Sequence, residues 1–318
     1  MIFTDKESFM QTYKNPILPM ADPFVLLHEG KYYLYGTTDF NRDKGTTEYN
    51  GENGVRVFVS DNLRDWEYGG VALRKGDTAG EDNYWAPELV ARNGKIYMVY
   101  TSDEHIGVAT APSPLGPFTQ EEKKWLSEAR AIDGSFFFDD DGKVYLYFVR
   151  LADRVRYFHN TIVVAPMSED LMSIDESRET LLIEATEPWE TVDSHVAEGP
   201  YVIKHNGKYY LTYSANHTRS HDYAIGYAVS DNPMGPFVKY EGNPILRRSE
   251  ELVGTGHHAF TTSKDKKTLI CTYHCHNSKE KFRPRLFCID KAEFVPSEDG
   301  GDDILKIYGP TTENELLC

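Results

Sequence analysis

A single hairpin pattern, written five times along the chain, restricts this sequence to a radial all-β architecture. In each copy a polar or charged residue opens an apolar strand, a turn ending in Lys follows, and a second apolar strand, mostly Tyr-rich, comes next. The copies are ADPFVLLHEGKYYLYGTT from Ala21, APELVARNGKIYMVYTS from Ala86, IDGSFFFDDDGKVYLYFV from Ile132, EGPYVIKHNGKYYLTYSA from Glu198 and a degenerate GHHAFTTSKDKKTLICTYHC from Gly256. Two strand-like runs joined by a short Gly-containing turn read as a β-hairpin. The turn lysines, Lys31, Lys95, Lys143, Lys208 and Lys267, recur at intervals of 48 to 65 residues, and a repeat of that length points to propeller blades. A third strand and a short edge strand follow each hairpin, as in GVRVFVSDNLRDWEYGG and AIGYAVSDNPMGPFVKYEG. The prediction is an all-β, five-bladed β-propeller with four antiparallel strands per blade, occupying residues 1–318 as a single domain. A chain of 318 residues would otherwise suggest two domains, but blades arranged radially share one structure. Helical periodicity is almost absent; ESFMQTYK, residues 7 to 14, is expected to form one short helix.

In a propeller the innermost strand of each blade lines the central channel. The residues that open the first strand of each copy, Asp22, Glu88, Asp133, Glu198 and His257, are therefore expected to converge on one axis. Four carboxylates in a confined site repel one another and raise each other's pKa, an arrangement that costs stability and signals function. Glycosidic bond cleavage needs one carboxylic acid to protonate the leaving oxygen and one carboxylate to activate water or attack carbon. Phe24, Tyr84 and Trp85 are candidates to stack on a sugar ring, and Arg285 to hold sugar hydroxyls. The insertions at 39–54, 76–84, 150–160, 184–196 and 218–222 are polar or aromatic and are expected to build the pocket rim. No nucleophile elbow, phosphate loop or paired-Cys metal motif is present.

The order ADP, WAPE, IDGS, EGP and GTGH resembles glycoside hydrolase family 43, five-bladed propellers acting on arabinose- and xylose-containing glycans. The resemblance covers nearly the whole chain and extends to RPRLFCID and IYGPTTE near its end. It implies an inverting hydrolase in which Asp22 is the general base, Glu198 the general acid and Asp133 the residue that tunes and orients the acid. It implies a substrate contact for His257 on the axis, with a water-mediated calcium there, and no cofactor for the chemistry itself. The expected activity is release of pentose from arabinose- or xylose-containing oligosaccharides, α-L-arabinofuranosidase first, then β-xylosidase, endo-arabinanase or a galactosidase. A propeller that only binds glycans is the competing class, because fold does not settle chemistry.

Other features have plainer readings. Glu88 is expected to bond backbone amides or the rim rather than to catalyse. His274 and His276 share one face of TLICTYHCHN, and strand packing is favoured over a metal site, which needs ligands from a second segment. Cys271, Cys275, Cys288 and Cys318 cluster in the last fifth of the chain and are read as free thiols. A formal charge of −16 repels nucleic acid and anionic membranes. The first residues lack the pattern of a secretory leader, so a cytoplasmic location is expected. Oligomeric state is left open.

Overall fold

A computed structural model describes residues 12–41, 44 and 46–313, and the backbone of 315–316. After β1 (Thr12–Tyr13) and β2 (Leu18–Pro19) the chain forms five blades. Blade one is β3 (Ala21–His28), β4 (Lys31–Thr37), β5 (Gly54–Ser60) and β6 (Glu67–Arg74); blade two is β7 (Trp85–Arg92), β8 (Lys95–Ser102) and β9 (His105–Ala111). Blade three is β10 (Ala131–Phe138), β11 (Val144–Arg150), β12 (Thr161–Met167) and β13 (Thr180–Ile183). Blade four is β14 (Ala197–His205), β15 (Lys208–Ala215), β16 (Ala224–Ser230) and β17 (Val238–Lys239). Blade five is β18 (Gly256–Thr262), β19 (Leu269–Cys275), β20 (Leu286–Val295) and β21 (Ile304–Ile307), followed by β22 (Glu315–Leu316). Each blade is an antiparallel meander.

The five-bladed propeller is the fold expected, with one departure. Blade two has three strands, and its fourth is reduced to single bridges, Thr110 with Thr119 and Leu73 with Phe118. The connecting segment carries Pro112, Pro114 and Pro117, which cannot donate to a ladder. The expected helix at 7–14 lies mainly outside the described residues; its described part, Thr12–Tyr13, is strand β1. No helix among the described residues is long and apolar enough to cross a membrane.

The Tyr-rich second strands follow from where the core sits. Side chains alternate across a strand, and each face of a blade meets a neighbour. On β4, Tyr33 and Tyr35 pack toward blade two while Tyr32 and Leu34 pack toward blade five. On β15, Tyr209, Leu211 and Tyr213 face blade three while Tyr210 faces blade five. The hydrophobic core is thus five wedges between blades, and large amphipathic rings fill them. Tight turns at Glu29-Gly30, Asn93-Gly94 and Asn206-Gly207 have both residues at positive φ, the geometry that matches strand twist in two-residue hairpins.

Candidate active site

All five inner strands share one irregularity, and it builds the pocket. Near the start of each, two residues oppose one on the neighbouring strand: Asp22-Pro23, Ala86-Pro87, Asp133-Gly134, Gly199-Pro200 and His257-His258. The first residue of every pair has positive φ, between 40° and 58°. Such bulges re-aim a side chain, and holding Asp, Ala and His in this region stores strain that tends to sit at functional sites. All five pairs line one small central cavity.

This register corrects the expected equivalence of the openers. Asp22, Asp133 and His257 occupy the first bulge position, which blades two and four fill with Ala86 and Gly199. Glu198 precedes its bulge by one residue and Glu88 follows its bulge, so their side chains leave the strand at other heights. Aligning the prolines Pro23, Pro87 and Pro200, rather than the carboxylates, would have revealed this.

Asp22 is 7% exposed and tied to a buried cation. Arg285 Nη1 and Nη2 donate to its two oxygens at 2.7 and 3.3 Å, while Arg285 Nε donates to Asp39 Oδ2 at 2.9 Å. Burial alone would raise the pKa of Asp22, but the Arg285 guanidinium and then His257 more than offset it and hold the carboxyl well below the usual range. His274 is pushed down to about 3, chiefly by burial, and is neutral. Its Nδ1 accepts the Asp22 backbone N–H at 3.2 Å, leaving Nε2 to donate to Thr218 Oγ1 at 3.4 Å. The 3.3 Å approach of Nδ1 to Asp22 Oδ1 is therefore a close contact, not an ion pair.

Asp133 and Glu198 behave differently. They are 6% and 9% exposed, and among the described residues no cation forms an ion pair with either. Burial lifts Glu198 to about 7, while Asp133 is raised well above its ordinary value by burial and then by the charges of Glu198 and Asp22. Both carboxyls therefore favour the neutral form more than a free carboxylic acid does, and they titrate as a pair. Asp133 Oδ2 accepts the Gly199 N–H at 3.1 Å, and Tyr223 Oη donates to Glu198 Oε1 at 2.8 Å. Tyr223 lies flat against His274, rings 5.7 Å apart, and a Cβ on Gly256 would meet its ring at 2.4 Å, so only glycine fits there.

The remaining expected residues are distributed around this centre. His257 brings Nδ1 to 3.4 Å from Asp22 Oδ1. Arg285 is 5% exposed and locked between two carboxylates. Trp85 is half-buried and packs against the core of blades three and four. Phe24 lines the cavity wall beyond Pro23, packed into the wedge between blades one and two. Tyr84 is fully buried, its hydroxyl on the Gly80 carbonyl, so it offers no face to a sugar, contrary to expectation. Glu88 accepts the Phe136 N–H at 2.8 Å, and burial lifts it to about 8. Cys271, Cys275 and Cys288 are free and buried; Cys318 lies outside the described residues.

The side chains of the described residues around His257 do not form a ligand set for a directly bound calcium. Among the described residues no three of His, Cys, Asp and Glu converge as ligands, whereas calcium takes six to eight oxygens. The titratable side chains on the central cavity are Asp22, Glu88, Asp133, His257 and His258, of which Asp22 is already paired with Arg285 and Glu88 is held neutral by burial.

Sequence reasoning missed Asp39, Tyr223, His274 and Thr218. Asp39 falls at the start of the 39–54 rim insertion, and Tyr223 directly follows the 218–222 insertion. His274 was assigned to packing, although its partner His276 does hold a backbone carbonyl, Thr218 O, at 2.9 Å. The usable signal for His274 was register: it stands opposite Gly256, where other blades carry Thr37, Thr101 and Ser214.

Comparison with known proteins agrees with this geometry. The glycosyl hydrolases family 43 pattern matches residues 13–300. A xylosidase/arabinosidase of Bacteroides ovatus is 31% identical, over 81% of this chain and 87% of its own length. A β-xylosidase of Xylanibacter ruminicola is 30% identical, over 78% and 85%. The crystal structure of an endo-1,4-β-xylanase from Bacteroides thetaiotaomicron superposes with a TM-score of 0.83 at 41% identity, covering 96% of this chain and 99% of that one. This chain belongs to glycosyl hydrolase family 43.

Proposed function

We propose that the protein releases pentose residues from arabinose- and xylose-containing oligosaccharides with inversion, acting first on α-L-arabinofuranosides. The observation that carries this is the division of one buried pocket into a carboxylate kept ionised, Asp22, and a carboxyl pair that keeps a proton, Asp133 with Glu198. Asp22 takes a proton from water as the water oxygen bonds the anomeric carbon. Glu198 gives its proton to the departing glycosidic oxygen as that bond breaks. Burial and the neighbouring charges raise Asp133, while the Gly199 N–H opposes them by favouring its carboxylate form. In that form Asp133 favours the protonated acid. Afterwards Asp22 holds one proton and Glu198 lacks one, and exchange with solvent restores both. A second substrate, β-xylosides, is favoured by the names of the Bacteroides ovatus and Xylanibacter ruminicola relatives.

Aryl α-L-arabinofuranoside, aryl β-xyloside and linear arabinan are the test substrates. Glu198→Gln is expected to lower turnover of unactivated glycosides by about 10²- to 10⁴-fold. Proton NMR of the first product should show the inverted anomer. No turnover on any of the three substrates overturns the assignment, and a retained anomer overturns the role of Asp22 as base.

A further inference from the structure

Neighbouring blades are stitched at the pocket by one recurring hydrogen bond. The N–H of the first bulge residue donates to a side chain on the second strand of the preceding blade: Ala86 to Thr37 Oγ1 at 3.1 Å, Asp133 to Thr101 Oγ1 at 3.0 Å, His257 to Ser214 Oγ at 2.8 Å and Asp22 to His274 Nδ1 at 3.2 Å. The acceptors share a register, each pairing with the residue before the bulge of its own blade: Thr37 with Ala21, Thr101 with Trp85, Ser214 with Glu198 and His274 with Gly256. In blade three that register, opposite Ile132, holds Val149, which is fully buried in the wedge shared with blade four. Valine accepts no hydrogen bond. The fifth N–H, that of Gly199, goes instead to the Asp133 carboxyl at 3.1 Å.

We propose that Val149 is a positioning residue: by withholding the acceptor that the other four junctions supply, it directs the Gly199 N–H to Asp133 and thereby places the shared proton on Glu198. The inference rests on Glu198 being the acid. A carboxyl pair with one proton has two arrangements, and a backbone N–H on one member stabilises that member as the carboxylate. Around the pair stand Asp22, Arg285 and Tyr223. Tyr223 Oη donates to Glu198 Oε1 and favours its ionised form, so the Gly199 N–H on Asp133 is the bond that offsets it, with Glu198 Oε2 left for the proton. With Thr at position 149 in place of Val, nearly the same volume would carry an acceptor at the register where Thr37 and Thr101 act. The Gly199 N–H would then divide between two acceptors, and the arrangement with the proton on Asp133 would gain.

The test compares kcat/KM on two aryl pentosides, one with a 2,4-dinitrophenyl leaving group, which departs without a proton, and one with an unsubstituted phenyl group. Val149→Thr is expected to lower phenyl pentoside cleavage about tenfold or more while changing the dinitrophenyl rate less than about threefold. Val149→Ala, which opens space without adding an acceptor, should affect both substrates alike. Val149→Ser supplies the acceptor with less bulk and serves if the threonine variant melts early. Unchanged leaving-group dependence in a folded Val149→Thr or Val149→Ser protein overturns the proposal, as does the same selective loss in Val149→Ala. Glu198→Gln separates the two levels: if it too shows no leaving-group dependence, the acid assignment fails rather than the role of Val149.

Discussion

At the scale of single residues, the pocket separates its carboxyls by their partners. Asp22 shares Arg285 with Asp39, and Asp39 is likewise held below its ordinary value by that guanidinium despite burial. Glu198 has a phenol where Asp22 has a cation. The proposed mechanism needs Asp22 ionised and Glu198 protonated, so kcat/KM is expected to fall above pH about 7 as Glu198 loses its proton. On the acid side the fall should begin well below the ordinary carboxylate range, because Asp22 stays ionised there. Arg285→Gln removes the charge that favours ionised Asp22. Its acid limb should move up by about 1 to 3 pH units, which a pH–rate profile from 3 to 9 would read directly; an unmoved limb would show that another group sets it.

At the scale of strands and their junctions, the repeated bulge makes the pocket general to the fold and the side chains on it particular. The hairpins and their order were legible because Gly-Lys turns and Tyr-rich strands are local signals with a fixed period. The height of each carboxylate along the axis was not, because a bulge adds a residue without changing composition, and only the aligned prolines mark it. Nor does the sequence announce that Thr37, Thr101 and Ser214 face a neighbouring blade, since Thr and Ser are common on any strand. The junction bonds should be measurable where no catalytic group is involved. Thr37→Val keeps the shape of a residue that is 1% exposed and leaves the Ala86 N–H buried without its acceptor. A loss of about 1–3 kcal/mol in denaturant unfolding is expected, with kcat/KM within about twofold of the parent; equal stability would mean that the N–H finds another partner.

At the scale of the whole molecule, a ring of wedges is as stable as its closing seam, and β2 and β21, from early and late in the described residues, meet in blade five. Strand β2 pairs with β20 through Leu18 with Phe287 and Pro19 with Leu286, while the later part of β20 pairs with β21. Asn15 completes the seam as a strand residue would. Its Nδ2 donates to Ile289 O at 2.7 Å, and its Oδ1 accepts the Ile289 N–H at 2.9 Å. Tyr13 Oη adds a bond to Asp290 Oδ1 at 3.1 Å. None of this seam was legible in advance, because it joins residues more than 260 positions apart and a lone Asn before Pro reads as a turn. Arg285 sits one residue before β20, with its side chain on Asp22 and its carbonyl accepting the Met20 N–H at 3.1 Å, so the seam and the base share a segment. Asn15→Ala would strand two buried backbone groups, at a cost of about 2–4 kcal/mol. Because the unfolding entropy of a chain this size is large, the midpoint should drop only by about 3–6 °C. If the seam also holds Arg285 in place, kcat/KM should fall further at pH 4 than at pH 6, since a loosened guanidinium lets Asp22 take up a proton at higher pH. A stability loss with an unchanged pH profile would separate ring closure from the positioning of the base.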